Sequence, residues 1–148
     1  MAQHLLVTTD GSRLAAKGVR ESLRLAKALR ARITAVYVVA PSPAVYGETA
    51  SYYAAGFTPA DYKKYTEKAA RKALDAIERE ARSARVRCAT RFLADAQPWK
   101  GILRAARAAR CDMIVMASHG RGAVGGLILG SETQHVLAHS KIPVLVVR

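Results

Sequence analysis

The residues of this chain best suited to chemistry lie in one stretch, Ala117-Ser-His-Gly-Arg-Gly-Ala-Val-Gly-Gly-Leu-Ile-Leu-Gly-Ser131. Two glycine patterns overlap in it. Gly120, Gly122 and Gly125 spell G-x-G-x-x-G, the turn that lets a backbone approach a dinucleotide pyrophosphate. Gly120, nine further residues and then Gly130-Ser131 make a second spacing, suited to a phosphate held between a glycine bend and the start of a helix. A helix start presents N–H groups without intrahelical acceptors and the positive end of the dipole, so an anion is favoured there. Gly120 and Gly122 would let the preceding backbone donate from the other side. The Ser131 and Thr133 hydroxyls would add donors. Ser131-Glu-Thr-Gln134 is also a capping box, with Ser131 as cap and Gln134 returning the bond, and a cap needs no ligand. Spacing alone leaves both readings open.

Other chemistries are excluded more easily. The dinucleotide fingerprint follows the first strand and needs an acid about 20 residues later for the ribose. Here the last carboxylate side chain is Glu132 and the sequence stops at Arg148. No Gly-Lys-Ser/Thr follows the glycines, so there is no Walker A loop. Ser12 and Ser118 have no evident base and orienting acid. His135 and His139 stand at i and i+4, a spacing that can grip a metal, but no third ligand is near and His119 lies in the loop. They read as surface histidines. Trp99 after Pro98 reads as a packing residue at a helix start. No catalytic residue emerges; Asp10 acting on a phosphate-bound water would support slow hydrolysis at most.

The elements that position these residues follow from two alternating periods. Leu5–Thr9 is a short apolar strand ending in Asp10-Gly11-Ser12, where a side-chain oxygen caps a helix running to about Arg30. Ile33–Val39 is a β-branched second strand. Residues 40–58, with Pro41, Pro43, Gly47, Gly56, Tyr46, Tyr52 and Tyr53, are too irregular for an element and read as a lid-like loop near the site. Pro59 opens a long helix to about Ser83. Val86–Leu93 is a third strand with Val86, Cys88, Thr90 and Phe92 on one face and Arg87 and Arg91 on the other, the pattern of a half-wet edge. Residues 98–109 form a helix, Cys111–Ala117 a central apolar strand, Ser131–His139 a short helix and Pro143–Val147 a fifth strand. Such alternation demands a doubly wound parallel sheet with helices on both faces, in one domain spanning residues 1–148. The edge pattern of the third strand sets the order 3-2-1-4-5. The winding then reverses between strands 1 and 4, and ligands of such sheets bind there, beyond the strands' carboxyl ends.

Composition agrees. Hydrophobic residues make up 51% and charged residues 24% of 148 residues, which suits a globular domain and not a disordered chain. The N-terminus has no cationic leader, and no apolar run is long enough for a membrane span, so a cytoplasmic protein is expected. Cys88 and Cys111 read as buried free thiols. The formal net charge is +13, and Arg13, Lys17, Arg20, Arg24 and Lys27 fall on one line along the first helix, opposite Ala15, Gly18, Val19, Ser22, Ala26 and Leu29. This reads as a solvated face. Without interleaved aromatics it does not read as a nucleic-acid stripe.

The segment DMIVMASHGRGAVGGLILGSETQHVLAHSKIPVLVVR, from Asp112 to Arg148, resembles the C-terminal half of a universal stress protein domain. That family's nucleotide signature is Gly, two residues, Gly, nine residues, Gly, then Ser or Thr. The N-terminal VTTDGS, the ITAVYVV strand and the element order are similar too, so the likeness covers essentially the whole chain. The resemblance implies an ATP site: Thr8, Thr9 and Asp10 bordering the adenosine, the Val38 backbone meeting the adenine, and Met116, Ala117, Gly120 and Gly122 lining the other side. Gly130, Ser131, Glu132 and Thr133 would surround the phosphates, with Mg2+ held through the phosphate oxygens. Ala117 stands where the signature has its first glycine, and Glu132 brings a like charge toward the phosphates.

The expected protein is a stress-response switch with an unidentified regulatory protein partner. It would be a homodimer in which the apolar edge strand Val144–Val147 meets its copy across a two-fold axis. The alternative, favoured by Ala117 and Glu132, is an interaction protein of the same fold that binds no nucleotide.

Overall fold

Short apolar runs, too brief for buried helices, become the strands. The computed structural model describes residues 2–42, 51, 54–119 and 129–148. In it β1 is His4–Thr9, β2 Arg32–Val39, β3 Cys88–Ala94, β4 Met113–Ala117 and β5 Val144–Val147. All pair in parallel, in the expected order β3-β2-β1-β4-β5. The intervening helices are α1 (Arg13–Leu29), α2 (Pro59–Ala84), α3 (Pro98–Ala108) and α4 (Ser131–His139).

Strand alternation divides the core into two layers. Leu5, Val7, Ile33, Ala35, Tyr37 and Val115 point to one face and pack under α1 and α2. Leu6, Val36, Ile114 and Met116 point to the other and meet α3 and Val136 of α4. The cationic line along α1 is solvent-exposed throughout, and its opposite face buries Ala15, Gly18, Val19, Ser22 and Ala26 as expected. Leu23 completes that buried face, while Leu29 is only half-buried.

Caps fix where the helices begin. The Ser12 hydroxyl accepts from Ala15 N–H at 3.1 Å to start α1. Thr58 and Asp61 form a reciprocal capping box ahead of Pro59 at the start of α2. Pro98 occupies the first position of α3, where its missing N–H costs nothing.

The third strand begins two residues later than its β-branched start suggested. The reason is local: Val86 N–H is bonded to Ala81 O at 2.9 Å, closing the end of α2 before pairing begins. Its edge character holds, with Thr90 turned to Glu78 on α2 (2.7 Å) and Arg91 exposed. The lid reading rested largely on residues 43–50 and 52–53, which lie outside the described residues, as do Tyr46, Tyr52 and Tyr53. Among the described residues no helix is long and apolar enough to cross a membrane.

Candidate functional site

The winding reverses between β1 and β4, which pair from Leu5 with Met113 to Val7 with Val115. Thr8, Thr9 and Asp10 therefore emerge beside Met116, Ala117 and Ser118 at the carboxyl end of the sheet. Beyond Thr9 the chain turns sharply through Gly11, whose φ of 77° suits a residue without a Cβ. The turn consumes much of the local polarity: Thr9 Oγ1 accepts from Gly11 N–H at 3.1 Å and Asp10 Oδ1 from Ser12 N–H at 2.9 Å. Asp10 Oδ2 is buried and has no partner among the described residues. A buried polar oxygen so placed is costly unless something donates to it.

On β2, Val38 lies past the last residue that pairs with β1, since the β1 ladder ends at Thr9 and Tyr37 whereas the β3 ladder continues to Val39 and Ala94. One backbone edge of Val38 is thus outside the β1 ladder. Its side chain is turned against α3, where a methyl added at Gly101 would fall 2.8 Å from Val38 Cγ1. Met116 and Ala117 are both buried.

The start of α4 is held to the end of β4. Ser118 N–H donates to Val147 O and Gly130 N–H to Ser118 O, both at 2.8 Å. The Thr133 hydroxyl donates to Ala117 O at 3.1 Å. The first intrahelical bond runs from Gln134 N–H to Gly130 O. The N–H groups of Ser131, Glu132 and Thr133 therefore have no acceptor within their helix.

This arrangement corrects the capping box. The cap position belongs to Gly130, with φ −57° and ψ 149°, and Ser131 is the first helical residue. A cap must be extended while a helical residue cannot be, so Ser131 Oγ makes no cap bond; Gln134 Nε2 donates instead to Leu129 O at 2.7 Å. Gly130 has no side chain to cap with. Among the described residues no side chain therefore caps the start of α4.

The remaining site residues behave differently from one another. Thr133 has committed its hydroxyl proton to Ala117, which leaves its backbone N–H for an anion. Ser131 is exposed. The Glu132 carboxyl is held above the ordinary glutamate range by burial, with the Trp99 backbone and the His135 ring acting in the opposite direction. It thus answers to the start of α3 as well as to its own helix. Gly120 and Gly122 lie outside the described residues. A cleft of about 550 Å³ between α1 and α2 reaches the same end of the sheet at Thr9, Gly11 and Ser12.

By spacing alone Trp99, His135 and His139 read as separate packing and surface residues. They form one cluster, with the Trp99 ring centroid 5.3 Å from that of His135 and 4.5 Å from that of His139. The i, i+4 histidine spacing was the available signal; that α3 begins beside α4 was not visible in it. Among the described residues no group of three or more His, Cys, Asp or Glu is arranged to hold a metal ion. Cys88 and Cys111 are free, and burial pushes the Cys111 thiol up to about 11, so it stays protonated and unreactive near neutrality.

Comparison with known proteins places these features. The family model described as "Universal stress protein family" matches residues 1–148. A Thermus aquaticus protein named "Universal stress protein in QAH/OAS sulfhydrylase 3'region" is 33% identical, with 100% of each chain covered. Two solved structures share the fold at lower identity. One, a universal stress protein in complex with cAMP, has a TM-score of 0.67 at 24% identity, covering 99% of this chain and 97% of its own. The other, an Arabidopsis thaliana universal stress protein family protein with AMP bound, has a TM-score of 0.67 at 13% identity, covering 98% and 90%.

Proposed function

Because this chain belongs to the universal stress protein family, we propose that it binds an adenine nucleotide, ATP, against the uncapped start of α4 and acts as a nucleotide-dependent switch. The observation that carries the reading is the pinned helix start: three N–H groups without helical acceptors, fixed by the 2.8 Å Gly130–Ser118 bond at the winding reversal. The phosphates lie against Gly130, Ser131, Glu132 and Thr133, with Gly120 and Gly122 completing the cradle. Thr8, Thr9 and Asp10 border the adenosine, the Val38 backbone edge meets the base, and the Met116 and Ala117 backbones line the opposite wall. Asp10 Oδ2, buried without a donor, suits a ribose hydroxyl or a water on a phosphate-bound Mg2+. Relatives of this fold with bound cAMP and AMP make an adenylate the ligand class to test first.

As a switch the bound nucleotide changes the surface offered to a protein partner. Hydrolysis is slow at most, since among the described residues no group hydrogen-bonds Asp10 Oδ2. The reading makes the protein a cytoplasmic homodimer joined along Val144–Val147, where Leu145 remains 40% exposed at the sheet edge. A second reading, an interaction protein with no nucleotide, is favoured by one observation: the Thr133 hydroxyl is occupied by Ala117 and so is not a free donor.

Mass spectrometry of freshly purified, denatured protein tests the pair. Copurified adenine nucleotide, with a thermal stabilisation worth about 2.7 kcal/mol at a hundredfold excess of Mg·ATP over its dissociation constant, supports the first. Neither signal leaves the second.

A further inference from the structure

The nucleotide reading makes no use of the net charge of +13, and the fold concentrates part of it at the opposite end of the sheet, where α1 and α2 finish. Lys27, Arg30, Arg85 and Arg87 line a recess of about 240 Å³ there, over a floor of small apolar residues. Arg32 heads β2 beside it. Because Ile33 pairs with Cys88, the backbones of Arg32 and Arg87 stand level on neighbouring strands, about 4.8 Å apart. All five side chains are exposed and no carboxylate lines the recess. Ion pairs among the described residues are Arg24–Glu21, Lys63–Glu67 and Arg104–Asp95, so none of the four lining cations is in an ion pair there.

The backbone supplies a second observation. Arg30 and Arg85 close α1 and α2 with φ of 54° and 58°, and Arg110 follows α3 with φ 53°. Helices end in this conformation on glycine far more readily than on a residue with a Cβ. A cation near a helix C-terminus does complement the dipole. That role is already filled without strain by Lys27, Arg82 and Arg107 in the last turns of the same helices. Arg30 and Arg85, both lining the recess, thus add charge beyond the basic residues of the last turns.

We propose that the recess is a binding site for inorganic polyphosphate. Three of its four lining cations are arginines, whose planar forks match phosphate oxygens in pairs. No aromatic side chain lines it, so it offers nothing on which a nucleobase could stack. A ligand that is phosphate throughout satisfies the recess with no part left over.

The test titrates long-chain polyphosphate into the full-length protein, with Mg·ATP saturating, and compares single-stranded DNA with the same number of phosphates and polyglutamate of the same charge. The parent binds polyphosphate at least tenfold more tightly than either rival, and binding weakens by an order of magnitude or more between 50 and 200 mM salt, as counterion release requires. The double change Arg30→Gly with Arg85→Gly lowers polyphosphate affinity at least tenfold, while the melting temperature stays level or rises and any response to Mg·ATP is unaltered. Lys27→Gln with Arg87→Gln, at unstrained positions, gives the same loss. The proposal is overturned if both double variants bind polyphosphate within twofold of the parent, or if DNA or polyglutamate binds as tightly.

Discussion

The Thr133 hydroxyl donates to the Ala117 carbonyl at 3.1 Å, tying the first turn of α4 to the last residue of β4. Both residues are buried, Thr133 at 2% exposure. Thr133→Val keeps the shape but leaves the Ala117 oxygen without its donor, which costs about 1–3 kcal/mol. Thr133→Ser recovers most of that. Denaturant unfolding of the three proteins measures it, and a Val variant as stable as the parent would show the bond to be incidental.

Gly18 packs its backbone on the same strand end. A Cβ there would meet Ala117 N at 3.6 Å and Met116 C at 3.9 Å, ordinary contact distances. Gly18→Ala therefore gains helix propensity without a clash, raising stability by about 0.5–1 kcal/mol. Gly18→Leu, which must push β4 away from α1, lowers it. Thermal melts of both variants decide the sign.

Gly101 is the opposite case. A methyl placed there falls 2.8 Å from Val38 Cγ1 and 3.2 Å from Asp95 Cβ. Valine is stiff about χ1 and cannot swing clear, so Gly101→Ala costs about 1–3 kcal/mol by overpacking. The strain moves Val38, and nucleotide affinity falls with stability. Adding Val38→Ala removes the obstructing methyl, so the double variant is more stable than the sum of the two single changes allows. Strict additivity would contradict this.

Glu132 sets a pH dependence. Its carboxyl is raised by burial above the ordinary value of 4.5, so the folded chain holds this proton more tightly than the unfolded chain does. Its contribution is most favourable below 4.5 and is lost as pH climbs through the folded value. Glu132→Gln removes the ionisation. The melting temperature of the variant relative to the parent is therefore higher at pH 7 than at pH 4. A variant that loses ground between those pH values would mean that the carboxylate is stabilised by its surroundings instead.

The architecture was legible because strand burial writes itself into local pattern. The wet alternation around Arg87 and Arg91 marked an edge, and the apolar run from Cys111 to Ala117 marked a centre, although the strand itself begins at Met113. The start of α4 was read one residue late in its capping role. Ser131-Glu-Thr-Gln134 satisfies the local rule for a box, but the Thr133–Ala117 and Gly130–Ser118 bonds fix the helix entry from across the sheet. Such bonds join residues 12 to 16 apart and leave no trace in a four-residue motif. The Trp99–His135–His139 cluster was hidden for the same reason. The αL arginines were hidden for another: propensity assigns such turns to glycine, and Arg30, Arg85 and Arg110 adopt them instead.

The most direct measurement is calorimetric titration of Mg·ATP into the parent and into Gly130→Val. Gly130 adopts φ −57° and ψ 149°, which valine also accepts, so the variant folds, while its side chain fills the approach to the free N–H groups of α4. The account predicts saturable binding of one ATP per parent chain and its loss in a variant whose melting temperature is unchanged. Equal binding by the two proteins, or none by the parent, would contradict it.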